Sequence, residues 1–334
     1  MAENQRLGSS GGDHSTSTPT PQQEAQAQQS KPRDGPATVF EADPMVSDIF
    51  TGQDGDYFGL VLVTNWPPSP ISDMEGPYQD FLGAVKSCFH DEDVVVAATS
   101  SDATSTDSTV SLQSVYLYPT THLHITVATF VPATKIAGTN DTNSFSTKEL
   151  RDAKRAQALD LLQVASKLPE WPTEPRQLVV DSAQIGKRAG ILLWKDLSGG
   201  IEAIRNCLRT ASTEDSVPII PGIIHSTFLR FSRTPQTPGE IVQEAFESKI
   251  QGRLGTDFFH DADSTTSSRK PLVLRANTVK LACESTPYMH IPKDNEHVLW
   301  STELTTRWLD SAHFGEQSNR IRWILQEKNS FITI

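Results

Sequence analysis

Cysteine is scarce in this 334-residue chain: Cys88, Cys207 and Cys283 are far apart, odd in number and without a Cys-x-x-Cys spacing. Such a set builds neither a disulfide framework nor a zinc site. Long hydrophobic runs are missing too. No apolar stretch reaches the ~18 residues of a membrane span, and no basic segment followed by an apolar one marks a secretory leader. The opening residues carry Gln and Glu rather than Arg, which argues against a transit peptide. The expectation is a soluble protein of the cytoplasm, with the nucleus as the alternative and no membrane partner. Positive charge is also short: 29 Lys and Arg face 41 Asp and Glu, a formal net charge of -12. That excludes a broad footprint on duplex DNA or RNA, which needs many phosphate-neutralising cations. A local basic pocket for a short ligand remains open. Oligomeric state is not readable.

Large apolar side chains are almost absent from residues 1–40, which are Ser, Thr, Gln, Gly and Pro. A segment of that composition cannot offset its ordering entropy, so it is expected to be a disordered tail.

What is present centres on Tyr116–Phe130. β-Branched and aromatic residues dominate it, and it reads as one strand with Pro119 near its start. Alternation then puts His122, His124 and Thr126 on one face, with Leu123, Ile125 and Val127 on the other. The arrangement returns in Ile223–Phe231, where His225 and Thr227 stand two apart and Phe228 follows. A third His-x-Thr, His14-Ser15-Thr16, lies in the polar tail without a strand around it or an apolar residue after it, so the bare pattern is common here.

Around the two motifs, Tyr57–Thr64 reads as a buried strand and Tyr78–Phe89 as a helix with Phe81, Leu82, Val85 and Phe89 on one stripe. Val94–Ala98 suggests a short strand, and 99–109 a mobile loop of Ser, Thr and Asp. Ser146–Glu149 is a capping box opening a helix with Leu150, Ala153, Gln157, Leu161 and Val164 at helical spacing. Arg176–Gln184 and Gly190–Trp194 form two strands about a turn at Gly186–Arg188, and a helix follows from Ile201 to Ala211. Thr237 caps a helix to Ile250 with Pro238 in its first position. Residues 252–270 read as a polar insertion, and Val273–Glu284 and Val298–Leu304 as further strands. Strands alternate with helices in two similar passes, each holding one histidine strand. The expected fold is α+β, with two lobes, around 124 and 225, related by a rough internal duplication. The histidines are expected to face each other across the groove between the lobes, and 306–334 is a C-terminal extension.

Two imidazoles facing across a groove can divide proton duties, since an unperturbed pKa of about 6.5 lets one act as base and the other as acid. A hydroxyl one pleat along from each can donate to a non-bridging phosphate oxygen. Four such groups around a tetrahedral anion suit a phosphodiester without a cofactor or a metal. The expected pH–rate profile is a bell around neutrality.

The paired motifs His124-Ile-Thr126-Val127 and His225-Ser-Thr227-Phe228 resemble the signature of the two-histidine (2H) phosphoesterase superfamily, the LigT-like RNA ligase and cyclic nucleotide phosphodiesterases. Leu178–Trp194 and the helix after it resemble the strand-turn-strand-helix between that family's motifs. The resemblance covers roughly 55–305 and implies a bilobal, pseudo-symmetric fold with a central groove between two antiparallel sheets flanked by helices. It also implies RNA-processing or cyclic phosphodiester chemistry on a nucleotide cyclic phosphate or short RNA end. It makes His124 and His225 the acid–base pair and Thr126 and Thr227 the phosphate ligands. Because the family also contains non-catalytic nucleotide binders, a module binding an AMP-like nucleotide or an RNA end is the alternative. The spacing between motifs is longer than the family's, and 99–109 and 252–270 are additions that could reshape the groove.

Further candidates are weaker. His122 and His124 form a His-x-His pair, so a metal-dependent hydrolase is a second alternative, although His90 and His290 are unmotivated as further ligands. Lys187 and Arg188 on their turn could contact phosphate, and Tyr118 and Tyr288 could stack on a base. Arg230 alternates away from His225 and is assigned to the opposite face. His260, His297 and His313 read as surface residues.

Overall fold

Strand β1 (Tyr57–Thr64) is buried along its whole length, which requires strands on both edges and cover on both faces. In the computed structural model, which describes residues 39–46, 57–64, 72–96, 114–136, 147–260, 271–286 and 297–303, it is an inner strand. These residues all fall in one unit, Arg33–Ile334. β1 pairs antiparallel with β4 (Ile125–Lys135) on one side and β9 (Thr278–Glu284) on the other, and β10 (Val298–Glu303) completes a four-stranded sheet. A second sheet of six strands runs β2 (Val94–Val96), β3 (Val115–Leu117), β7 (His225–Phe231), β6 (Ala189–Asp196), β5 (Arg176–Ile185), β8 (Leu274–Ala276). Its pairings are antiparallel except β2–β3.

Helices back one face of each sheet. Against the four-stranded sheet lie α2 (Lys148–Ala165) and α3 (Gly200–Ala211), whose Leu161, Leu162, Ile204 and Leu208 meet Leu60, Leu62 and Leu281. Against the six-stranded sheet lie α1 (Ser72–Lys86) and α4 (Gly239–Lys249), whose Tyr78, Phe81, Val242 and Phe246 meet Leu192, Phe228 and Leu229. The architecture is therefore α+β in two lobes, one motif strand in each sheet, as expected.

The lobes are interleaved rather than consecutive. The chain leaves β1 for α1 and the six-stranded sheet before returning to β4, and it leaves β6 for α3 on the other lobe. An apolar stripe dictates that a helix packs; it does not dictate on which sheet.

Several local expectations need correction. Tyr116–Phe130 is not one strand: a 3-10 turn at Thr120–His122 divides it into β3 and β4, which belong to different sheets. Pro119 supplies no ladder donor there, and its carbonyl accepts the His122 N–H at 2.9 Å to close the turn. α1 begins earlier than expected and contains Pro77. On α2 the cap is Thr147, accepting from the Leu150 N–H at 3.3 Å, and Leu150 and Val164 face outward at 42% and 54% exposure. Thr237 does not cap α4; its hydroxyl donates to Asp93 and accepts the His90 N–H. Residues 251–260 are not a polar insertion, because Leu254, Phe258 and Phe259 enter the core beside Phe81. The folded unit also begins before 55, since Phe40 and Val46 are buried. The expectations for 1–38, 99–109, 261–270, Tyr288, His290 and 306–334 lie outside the described residues.

Candidate active site

Breaking the first motif segment into two strands changes where its histidines stand. His122 ends the 3-10 turn, and His124 lies just before β4. Alternation therefore does not relate them. Instead the turn aims the His122 carbonyl at His124, whose Nδ1 lies 2.9 Å from it. A carbonyl only accepts, so Nδ1 carries the hydrogen and the neutral ring keeps its lone pair on Nε2. The His122 ring is occupied locally, its Nδ1 3.2 Å from the Thr121 hydroxyl.

His124 is half-buried. Its pKa is lowered to about 4, chiefly because burial disfavours the imidazolium; the charge of Arg230 and the nearby His122 act in the same direction, against the bond to the His122 carbonyl. It is therefore neutral at physiological pH.

Both motifs contain a β-bulge at their fourth residue. On β4, Thr126 pairs with Val63 and Ala128 with Leu62, so Val127 has no partner residue. On β7, Thr227 pairs with Ile191 and Leu229 with Gly190, so Phe228 has none. A bulge inserts one residue and resets the alternation beyond it. The motif's apolar residue and the residue after it consequently both serve the core, as Val127 with Ala128 and Phe228 with Leu229 do.

The bulge in β7 overturns the assignment of Arg230 to the far face. Beyond Phe228 the phase is reversed, and Arg230 pairs across the sheet with Tyr116 and Ala189 on the side of His225 and Thr227. Its charge acts on His124 and on the Tyr118 hydroxyl, and its Nη1 donates to Asp43 at 2.7 Å. The available sequence signal was Gly190, since glycine inside a strand often marks a bulge or a close approach. A Cβ there would lie 2.6 Å from the Phe228 ring.

The two motifs meet through Arg205. This residue is buried at 2% exposure within the apolar stripe of α3, between Ile204 and Leu208. Its Nε donates to the Val127 carbonyl at 3.2 Å, and its Nη2 donates to the carbonyls of Thr126 at 3.3 Å and Ile223 at 3.0 Å. One nitrogen thus holds a carbonyl two residues from His124 and another two residues from His225. The bulge leaves two successive carbonyls on the edge strand β4, and the guanidinium answers both. Thr129 and Ile219 add a reciprocal pair of backbone bonds at 2.8 Å, and β4 and β7 are in contact. The sequence signal for Arg205, which was missed, is a lone cation in a helix's apolar stripe.

The second motif is fixed from behind. Ser226 is buried and accepts the Trp194 indole N–H at 3.0 Å, which turns His225 and Thr227 to the opposite side. His225 is half-buried with Nδ1 inward. A second buried arginine, Arg176, donates from Nη2 to the Thr64 hydroxyl at 3.1 Å and the Thr278 carbonyl at 2.9 Å, binding β5 to the other lobe. Burial lowers its pKa to about 10, partly opposed by Asp196.

The remaining candidates stand elsewhere. Tyr118 is buried at 1% exposure with its ring 5.0 Å from that of Tyr116, so it offers no face to a base. Burial raises its hydroxyl pKa well above the ordinary value, against the pull of Arg230. Lys187 and Arg188 are exposed on the β5–β6 turn and pair with Glu41 at 3.8 and 3.1 Å. Arg188 stands three residues from Ile191, the partner of Thr227, or about 10 Å along the strand. Lys280, not singled out from sequence, shares a cross-strand row with Val63 and Thr126. No group of three or more His, Cys, Asp or Glu that could hold a metal is found among the described residues. No described helix is long and apolar enough to cross a membrane.

No family model matches the chain, and no curated protein matches it. Among solved structures it is similar to E. coli LigT complexed with 3'-AMP, at 12% identity over 75% of this chain and 100% of that one, TM-score 0.37. It is similar to Kluyveromyces marxianus Usb1 with uridine monophosphate, at 8% identity over 71% and 99%, TM-score 0.34. A Thermus thermophilus protein is similar at 12% identity over 74% and 97%, TM-score 0.35.

Proposed function

We propose that the chain is a phosphodiesterase of the 2H type, hydrolysing a nucleoside 2',3'-cyclic phosphate or a related RNA-end phosphodiester. Supporting this reading is one observation above the rest: a single Arg205 nitrogen bonds carbonyls two residues from each motif histidine. His124 has the base role, because it is neutral and its Nε2 holds the lone pair. It takes a proton from water as the water oxygen bonds to phosphorus. The phosphorus bond to the departing ribose oxygen breaks, and His225 gives that oxygen a proton. Thr126 and Thr227 donate to the non-bridging oxygens, and Arg230 balances their charge. The steps need no metal.

The test is 31P NMR of the purified full chain with 2',3'-cyclic AMP in the presence of EDTA. Conversion to a monoester is expected from the wild type and from neither His124→Ala nor His225→Ala. Nucleotide binding by calorimetry without conversion selects the non-catalytic module instead. Activity that EDTA abolishes selects the His-x-His metal enzyme.

A further inference from the structure

Residues 39–46 precede β1 in sequence, yet they pack against β7 of the six-stranded sheet. Phe40 is buried, stacked on Phe231 at 4.5 Å between centroids and near Phe89 at 6.4 Å. The Asp43 N–H donates to the Phe231 carbonyl at 2.7 Å, and Val46 is fully buried. This strap is therefore seated on β7 immediately beside Arg230. Its two acids differ in kind. Glu41 meets Lys187 and Arg188 on an exposed turn. Asp43 is buried; one carboxylate oxygen accepts the Met45 N–H at 3.1 Å and the other accepts from Nη1 of Arg230 at 2.7 Å. The side chains of that pair are only 5% and 16% exposed.

We propose that Asp43 is a positioning residue of the groove, holding the Arg230 guanidinium ready for a substrate phosphate. The inference rests on the reading that the groove takes a phosphate. A long arginine side chain must otherwise be immobilised when the anion arrives, at an entropic cost that lowers affinity. With Nη1 tied to a carboxylate that is itself fixed by the strap, the guanidinium plane is set beforehand. A fully buried salt bridge of purely structural purpose would leave no part of the arginine open, whereas Arg230 retains exposure and its charge is felt at His124. Asp43 also moderates that charge, so the groove receives a directed donor without a large excess positive field.

The experiment is a double-mutant cycle on the full chain, reading the Kd for inorganic phosphate by calorimetry and kcat/KM for 2',3'-cyclic AMP. Asp43→Asn is expected to weaken both at least fivefold in the wild type, and to change neither by more than twofold beside Arg230→Ala. An equal loss in both backgrounds makes the strap merely structural and overturns the proposal. Tighter phosphate binding by Asp43→Asn also overturns it, because the carboxylate would then be a competitor. If Asp43→Asn does not fold, Asp43→Glu, which keeps the charge but moves it by one methylene, takes its place with the same criterion. Coupled phosphate binding without turnover sinks the hydrolase reading and leaves this one standing; turnover without coupling does the reverse. A wild type that neither binds nor hydrolyses removes both.

Discussion

The carbonyl of His122 accepts the Nδ1 hydrogen of His124 at 2.9 Å, and that bond leaves the lone pair of the neutral ring on Nε2. Its consequence is measurable in the pH dependence. Two unperturbed imidazoles would give a bell around neutrality. With the pKa of His124 lowered to about 4, the acid limb of kcat/KM is expected to move well below neutrality, leaving activity level between about pH 5 and the loss of the His225 proton. An acid limb near pH 6.5 would show that His124 is not the base.

The same shift links to stability. Burial depresses the pKa of folded His124, whereas the unfolded residue titrates near 6.5. The unfolded state therefore binds the extra proton, and stability present above about pH 6.5 is lost as pH falls toward 4. Urea unfolding of wild type and His124→Gln at pH 7 and pH 4.5 checks this. The wild type should lose more stability over that interval than the variant.

Arg205 supplies the next expectation. Arg205→Ala removes three bonds to backbone carbonyls and should cost on the order of 3 kcal/mol, seen as a lower Tm. Arg205→Lys keeps the charge but cannot fork to both strands, so it should retain the fold while kcat falls about tenfold or more and KM changes little. An active, unshifted Arg205→Lys would mean that the motif spacing is set by other contacts.

Gly190 tests the bulge. An added Cβ would lie 2.6 and 2.8 Å from atoms of the Phe228 ring, so the ring or the strand must shift. Gly190→Ala should destabilise by about 1–3 kcal/mol and reduce activity by displacing Arg230. A neutral outcome in thermal unfolding would show that Phe228 has room to move.

Replacing either motif histidine should lower kcat by roughly two to four orders of magnitude with the circular dichroism spectrum retained. His124→Ala and His225→Ala together should be no worse than the poorer single variant, since the two act as one device. Additive losses would argue for independent roles.

The sequence was most legible where periodicity decides structure. β1, the β5–β6 hairpin and the α3 boundaries follow directly from apolar runs and Gly punctuation. It misled where an irregularity resets the count. One proline split the first histidine strand, and one extra residue in β7 carried Arg230 to the other side of the sheet. Alternation is a local rule, and a bulge is decided by the neighbouring strand. Arg205, Asp43 and the Trp194–Ser226 bond were missed for a related reason, because each acts between segments far apart along the chain.

Because the polypeptide passes from one lobe to the other and back before either is complete, neither lobe corresponds to a contiguous stretch that could be excised. A cut between β6 and α3 would strip the four-stranded sheet of half its helical cover, and one after β1 would separate that strand from both its partners. Fragments should therefore fail to assemble separately, and the molecule should melt as one cooperative body.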